Sequence, residues 1–284
     1  MTSIAELLKW AELELKPSQD IPQLEAQVLL AHVLGCDRAY LYTWPEKEVE
    51  PQDIAAFEAL IQRRLNHEPI AYLTGHKEFS SLNFEVTKNT LIPRADTELL
   101  VKTVLEHLDE SHHRVVDLGT GCGVIASTLA HERPKWQVIG LDISHEAIKV
   151  ATKNAATLQI SNVSFIESNW FESLPLKEYD AIVGNPPYIR GGDVHLIHGD
   201  LPFEPEIALT PGPSGFEAFA RILASCHQYL KEGGLIALEH GFDQRERLTE
   251  MLATAGFVAV KTFQDYAGKD RVTIGFKQAT DKQF

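Results

Sequence analysis

Cysteine is scarce: Cys36, Cys122 and Cys226 are the only three, far apart and without a C-x-x-C pair. That usage excludes a disulfide-stapled miniprotein, a zinc knuckle and a redox dithiol, and it fits a reducing cytosol. Basic residues are outnumbered, 26 Lys and Arg against 40 Asp and Glu, for a formal net charge of −14. Such a surface repels phosphate backbones, so long stretches of nucleic acid are poor partners. No apolar run approaches the roughly eighteen residues of a membrane span. The opening MTSIAELLKWAELEL carries acids where a secretory leader needs a basic stretch. The histidines show no metal-ligand spacing and no G-x-S-x-G elbow marks a hydrolase, so neither a metal nor a serine nucleophile is expected. A soluble cytoplasmic protein follows as the expectation, without internal repeats or low-complexity segments.

What is present is ordinary globular material: 284 residues, 44% hydrophobic and 23% charged, enough for one large domain or two smaller ones. Ser3 and Glu6 form an S-x-x-E capping box ahead of Ile4, Leu7, Leu8, Ala11 and Leu15 at helical spacing. Pro17 to Pro22 breaks that helix. A second helix, LEAQVLLAHVLG, stops at Gly35, and a third runs from Pro51 to about Asn66 with Ile54, Phe57, Leu60, Ile61 and Leu65 on its apolar face. Trp10 and Trp44 are read as core or partner contacts. Residues 1–70 are therefore expected to be a helical domain. Residues 71–92, punctuated by Gly75, Ser80–Ser81 and Asn89, read as a β-hairpin linker.

From residue 93 to 284 the chain alternates. HRVVDLG, WQVIGLD, VSFIES, YDAIVGN and GGLIALEH are apolar, β-branched-rich runs with helix-like stretches between most of them, the mark of a doubly wound α/β fold with a mainly parallel sheet. FVAVKTFQD and RVTIGFK read as a closing antiparallel hairpin. Arg94 and Glu98, four apart across a helix start, are read as a local ion pair worth a few tenths of a kcal/mol.

Asp117-Leu118-Gly119-Thr120-Gly121-Cys122-Gly123 stands at a strand-to-helix turn, where glycines allow positive φ and close approach to a ligand. Val124 stands where a dinucleotide fingerprint needs its last glycine, so the pyrophosphate motif is broken. Asp117, at the strand end, suits a cationic or amine-bearing ligand better than a diphosphate. Asp142 ends the next apolar strand, where a carboxylate can accept both hydroxyls of a ribose. Together these residues ask for an adenosine carrying a positive group.

Asn185-Pro186-Pro187-Tyr188 follows the strand DAIVG, at the carboxyl end of the sheet. Two prolines stiffen the backbone and remove two donors, leaving acceptors. An amide or exocyclic amino nitrogen is a poor nucleophile because its lone pair is delocalised. If the Asn185 side-chain oxygen and the Pro186 carbonyl accept its two hydrogens, the nitrogen is held and its lone pair can be aimed at an electrophilic methyl. Tyr188 could stack on the planar target group.

The D-x-G-x-G-x-G loop with its later strand-end acid resembles the class I S-adenosylmethionine-dependent methyltransferases, and N-P-P-Y resembles the signature of enzymes methylating planar sp² nitrogens. Leu91-Ile92-Pro93-Arg94-Ala95-Asp96-Thr97-Glu98 is similar to the LIPRP[ED]TE block of the release factor glutamine methyltransferases, the HemK/PrmC family. Tyr72-Leu73-Thr74-Gly75 with Glu78-Phe79 and Phe84, Glu204-Pro205 with Ala208-Leu209, Gly215-Phe216, and Asp270-Arg271-Val272 resemble further stretches of that family, so the likeness spans essentially the whole chain. It implies a Rossmann-like methyltransferase domain behind a helical, release-factor-binding domain. It implies S-adenosylmethionine bound by Asp117, Gly119, Thr120, Gly121, Cys122, Gly123, Asp142, Asn169, Trp170 and Asn185. Gly119 to Gly123 would face the methionine part, Asp142 the ribose and Trp170 the adenine. Asn185, Pro186 and Tyr188 would serve catalysis and, with Pro187, substrate binding.

The sequence departs from the family pattern at Ala95, at Thr210-Pro211-Gly212-Pro213-Ser214, and at Asn169, where an Asp is usual. Asn169 can still accept from an adenine amino group, more weakly because it lacks charge. The activity implied is methylation of the glutamine amide in the GGQ loop of class 1 peptide-chain release factors, by a monomer that binds no nucleic acid directly. The rivals are a ribosomal-protein glutamine methyltransferase, a nucleic-acid amino methyltransferase and, last, a cofactor-binding scaffold.

Overall fold

The computed structural model describes residues 2–175 and 178–279; the outer ends of the expected first and last domains, Met1 and residues 280–284, lie outside the described residues. Two compact units divide the chain, Met1–His76 and Lys77–Phe284. The first is helical: β1 (Thr2–Ser3), α1 (Ile4–Leu15), α2 (Pro22–Leu34), α3 (Arg38–Thr43), β2 (Glu48–Val49), α4 (Pro51–Leu65) and α5 (Ile70–Thr74). The capping box forms as the sequence indicates, the Glu6 N–H donating to Ser3 Oγ and the Ser3 N–H to Glu6 Oε2 at 2.8 Å. Leu7, Ala11 and Leu15 meet Leu29, Leu30, Phe57 and Ile61 in one core. Each of these buried Leu, Ile and Phe side chains contributes about 1.5–3 kcal/mol of transfer free energy. Trp10 packs edge-on against Phe57, whereas Trp44 is exposed.

Sequence periodicity does not show α3 because its 6 residues make fewer than two turns; Asp37 caps it by accepting the Tyr40 N–H at 2.8 Å. One expectation is corrected here. Tyr72 and Leu73 belong to α5 and not to an extended linker, since their N–H groups both donate to the Pro69 carbonyl, at 2.9 and 3.0 Å, and close a helical turn, which left-handed Gly75 then ends.

β3 (His76–Phe79) and β4 (Leu82–Glu85) form the expected hairpin. Its two-residue turn, Ser80–Ser81, has positive φ at both positions, the twist that matches paired strands. The second unit then alternates: α6 (Thr97–His107), β5 (Arg114–Leu118), α7 (Val124–Glu132), β6 (Gln137–Asp142), α8 (His145–Thr157), β7 (Val163–Glu167) and β8 (Tyr179–Gly184). It ends with α9 (Glu206–Leu209), α10 (Glu217–Ser225), β9 (Leu230–Glu239), α11 (Arg245–Thr254), β10 (Phe257–Gln264) and β11 (Asp270–Lys277).

The strand order is β10-β11-β9-β8-β5-β6-β7, parallel from β9 to β7 and antiparallel where β11 joins β9 and β10. Chain order runs outward from β5 to β7 and then resumes on the other side of β5 with β8. That reversal leaves a crevice beyond the carboxyl ends of β5 and β8. Register levels those ends: Leu118 pairs with both Leu141 and Gly184, and Asp142 pairs with Glu167. The loops that begin at Gly119, Ile143, Ser168 and Asn185 therefore leave the sheet side by side. No helix among the described residues is long and apolar enough to cross a membrane.

In the helical unit, a two-pronged ion pair links α2 to α4 through the core: Arg64 Nε and Nη2 donate to Glu25 Oε2 and Oε1 at 2.8 and 3.0 Å. Both side chains are about nine-tenths buried. Removing one partner strands the other charge in a poorly solvating environment, which costs about 3–5 kcal/mol. Arg64→Ala should lower the stability of this unit by that amount in urea titrations, and a loss below about 1 kcal/mol would show that the pair is solvated.

Candidate functional site

A cavity of about 350 Å³ opens at the levelled strand ends, a size suited to a small-molecule ligand. Gly119 and Gly121 form one wall, Asp142, Ile143 and Ser144 the next, then Ser168, Asn169 and Trp170, then Asn185 and Pro187. Leu91, Pro205, Ala208 and Thr210 close the opposite side. Most of the residues singled out from sequence thus converge, though not all reach the cavity.

The glycine loop is built for close packing. Gly119, Gly121 and Gly123 all have positive φ, and the Gly121 N–H donates to Asp142 Oδ2 at 2.9 Å while the Ser144 N–H donates to Oδ1 at 2.9 Å. Those two backbone donors orient the Asp142 carboxylate, and each oxygen keeps a lone pair for a ligand hydroxyl. Burial raises the Asp142 pKa and the two N–H groups oppose that shift. On β6, Gly140 leaves room for the loop: an added Cβ would stand 2.6 Å from both Thr120 Oγ1 and the Phe165 ring.

Thr120, Cys122 and Gly123 lie behind this surface. Thr120 Oγ1 donates to Asp117 Oδ2 at 2.6 Å, and the Cys122 carbonyl accepts from Asn154 Nδ2 at 2.9 Å. Burial pushes the Cys122 thiol up to about 12, so it is a packing group and no nucleophile. Asn154, which sequence reading passed over, also exchanges hydrogen bonds with the Glu85 backbone at 2.8 and 2.9 Å, tying the hairpin and α8 to the loop.

Asp117 is fully buried beneath the loop. Oδ2 accepts from Thr120 and from the Ala126 N–H at 3.2 Å, whereas Oδ1 has no hydrogen-bond partner among the described residues. Burial pushes this carboxyl up to about 7, the two hydrogen bonds opposing and the Asp142 charge reinforcing the rise. An orphaned buried carboxylate oxygen next to a glycine cradle fits a site that receives a cation.

Trp170 carries a positive φ of 53°, uncommon for a bulky residue. Ser168 holds that turn by donating to the Trp170 carbonyl at 2.8 Å and accepting the Ser173 N–H at 2.9 Å. The indole both lines the cavity and packs against the sheet core. Asn169 Nδ2 donates to Glu172 Oε1 at 2.7 Å, which leaves its carbonyl oxygen as the accepting end. The amide identity that departs from the family pattern is therefore specifically used.

Asn185 is anchored by its amide nitrogen, which donates to Thr97 Oγ1 at 3.2 Å. Its oxygen is again the free end. Pro187 joins it on the wall, but Pro186 is buried and the Tyr188 ring packs against the core. The Tyr188 hydroxyl donates to Glu239 Oε1 at 3.4 Å, so this placement does not present the ring for stacking on a target. Glu239, at the end of β9, was not recognised from sequence. Burial pushes it up to about 7, against the Thr97 and Tyr188 hydroxyls and the Arg271 charge, which favour the ion, while Asp96 adds to the rise.

The expected Arg94–Glu98 pair does not form. Arg94 pairs with buried Glu204, which also accepts the Ile92 N–H at 2.9 Å, and Glu98 accepts the Ser80 N–H at 3.0 Å. The reason is energetic: an exposed helical pair yields a few tenths of a kcal/mol, whereas a buried unpaired carboxylate costs several. Glu204 thereby staples two cavity walls, Leu91 and Pro205, to each other.

Asp117 generates a pH signature. Its carboxyl loses its proton near pH 4 in the unfolded chain and near pH 7 in the folded one. Between those values the folded state carries the extra proton, so this group's contribution to stability falls as pH rises, by at most about 1.4 kcal/mol per pH unit, and stays lost above 7. Asp117→Asn keeps an acceptor for Thr120 and Ala126 but does not titrate. Urea titrations from pH 4 to 7 should show the variant losing less stability than the unaltered protein; parallel curves would refute the assignment.

Comparison with known proteins places the chain. Residues 6–75 match the family described as PrmC N-terminal domain, and residues 95–200 match the Methyltransferase small domain. The chain is 48% identical to the release factor glutamine methyltransferase of Aliivibrio fischeri, covering 90% of this chain and 90% of that protein. It is 44% identical to the release factor glutamine methyltransferase of Pseudomonas aeruginosa, covering 97% and 99%. A solved methyltransferase from Pyrococcus furiosus shares the fold with a TM-score of 0.54 at 20% identity, covering 77% of this chain and 98% of that one. With relatives this similar along nearly their full length, the chain belongs to the release factor glutamine methyltransferase family.

Proposed function

We propose that this protein transfers a methyl group from S-adenosylmethionine to the side-chain amide nitrogen of the glutamine in the GGQ motif of class 1 peptide-chain release factors. The observation that carries the reading is the convergence, on one cavity at the sheet's reversal, of Gly119 and Gly121, the oriented Asp142 carboxylate and Asn185, whose amide nitrogen is taken by Thr97. The membership of the family supplies the substrate; the site supplies chemistry consistent with it.

Asp142 would hold the ribose through the lone pairs that Gly121 and Ser144 leave open. Asn169 would accept from the adenine amino group through its free oxygen, and Trp170 would cover the adenine face. Asp117 would counter the ligand's positive end from below the loop. When bound, S-adenosylmethionine supplies a methyl on a sulfonium that departs as a neutral thioether, leaving S-adenosylhomocysteine.

The protein's own task is to prepare the nitrogen. Thr97 holds the Asn185 amide by its nitrogen, and Oδ1 together with the Pro186 carbonyl would accept the two hydrogens of the glutamine amide. Held this way, the nitrogen can rehybridise and direct its lone pair at the methyl; its extra proton leaves to solvent after the N–C bond forms. No strong base is required. The helical unit is assigned to release-factor recognition, the molecule acts as a monomer in the cytoplasm, and the −14 charge argues against direct nucleic-acid binding.

Incubation with labelled S-adenosylmethionine and an intact release factor, followed by peptide mapping, should place the methyl on the GGQ glutamine. Asn185→Ala should reduce the single-turnover rate on the order of a hundredfold or more with cofactor affinity little changed. Label on a ribosomal-protein glutamine or on nucleic acid, with the release factor unmodified, would overturn the reading.

A further inference from the structure

Pro186 and Pro187 create a problem that the structure solves from an unexpected side. Neither has an N–H, so the segment that presents Asn185 cannot be anchored by its own backbone donors. The Ile189 N–H just beyond it reaches the Leu209 carbonyl at 3.0 Å, and the residues from Asn185 to Tyr188 are gripped by side chains at their two ends. Thr97 takes the Asn185 end. The other end is Tyr188, and two residues of the stretch Glu239–Gln244 hold it.

The parallel register pairs Gly184 with Leu238, which brings Glu239, the next residue on β9, level with Asn185, the next residue after β8. Glu239 Oε1 accepts the Tyr188 hydroxyl at 3.4 Å. Five residues on, the Gln244 side chain reaches the same tyrosine by its backbone: Nε2 donates to the Tyr188 carbonyl at 3.0 Å and to the Gly215 carbonyl at 3.2 Å. Its Oε1 accepts the Gly241 N–H at 2.8 Å. Every hydrogen-bonding direction of that amide except one acceptor lone pair is used, and the side chain is buried. Gly215 shows how tight the clamp is: a Cβ there would stand 2.7 Å from the Tyr188 carbonyl oxygen and 3.1 Å from Gln244 Nε2.

None of Glu239, Gln244 and Gly215 lines the cavity. Yet Gln244, with three of its hydrogen-bonding directions used, and Glu239, which accepts through Oε1 while Oε2 has no hydrogen-bond partner among the described residues, grip one residue by both its backbone and its side chain and so fix where the preceding Asn185-Pro186-Pro187 can lie. We propose that Glu239 and Gln244 are positioning residues for methyl transfer, acting through Tyr188 to hold the Asn185–Pro187 acceptors in register with the cofactor cavity. The proposal rests on the methyltransferase reading above and assigns the otherwise unexplained tyrosine of the motif: it is the handle by which the sheet holds the acceptor loop.

Rates fall steeply with small misplacements of positioned groups, so loss of the clamp should appear in turnover and spare cofactor binding. Two near-isosteric variants test it. Gln244→Glu keeps the acceptor for Gly241 but puts an oxygen against the Tyr188 and Gly215 carbonyls. Glu239→Gln keeps the shape at Tyr188 and removes the charge. In single-turnover methylation of an intact release factor, each should slow transfer at least tenfold, with S-adenosylhomocysteine affinity by calorimetry within about twofold. Glu239→Gln combined with Tyr188→Phe should be no slower than the Tyr188→Phe variant alone, a coupling that general destabilisation does not produce. Rates within twofold of the unaltered protein in both variants, additive losses in the double variant, or equal loss of cofactor affinity would each overturn the positioning role while leaving the methyltransferase reading intact. Absence of release-factor methylation by the unaltered protein would overturn both.

Discussion

Leu118 is paired on one side with Leu141 and on the other with Gly184, and this shared register is what the site depends on. Parallel strands end together only when their hydrogen-bond ladders are aligned, and a slip of one residue would reverse every side chain between faces. Here the alignment sets Gly119, Asp142 and Asn185 at one level although 66 positions separate the first from the last in sequence. The two backbone donors on Asp142, the tight seat of Thr120 against Gly140 and the approach of Glu239 to Tyr188 all follow from that level edge.

A second constraint is the burial of charge behind the cavity. Asp117 and Glu239 are both enclosed, and both are pushed up to about 7 chiefly by loss of water. Such groups persist where surrounding donors are oriented before any ligand arrives. Thr120 and Ala126 serve Asp117; Tyr188 serves Glu239. The cavity wall itself is mostly apolar, with Asp142, Asn169 and Asn185 among the residues that line it. The arrangement suits a ligand that combines a cation, hydroxyls and a planar amino heterocycle.

The features legible in the sequence were those whose physics is local. Alternating apolar runs indicated the parallel sheet, the three glycines marked the turn after β5, a carboxylate ended β6, and two prolines stiffened the loop after β8. The features that were not legible are long-range. Arg94 finds Glu204 across 110 positions, Asn154 finds Glu85 across 69, and Tyr188 finds Glu239 across 51. Nothing in residue spacing selects these partners over Glu98 or over a ligand ring, because the choice is made by which carboxylate becomes buried. α5 is illegible for a different reason: its 5 residues are too few to display a helical period.

The central claim is that one cavity holds the cofactor by Asp142 and faces its reactive end toward Asn185. A crystal structure of the protein with S-adenosylhomocysteine tests this most directly. The account predicts both ribose hydroxyls within hydrogen-bonding distance of the Asp142 carboxylate, the adenine against Trp170, and the sulfur on the side of the cavity lined by Asn185. A ligand whose ribose is held by other groups, or whose sulfur is directed away from Asn185, would contradict it.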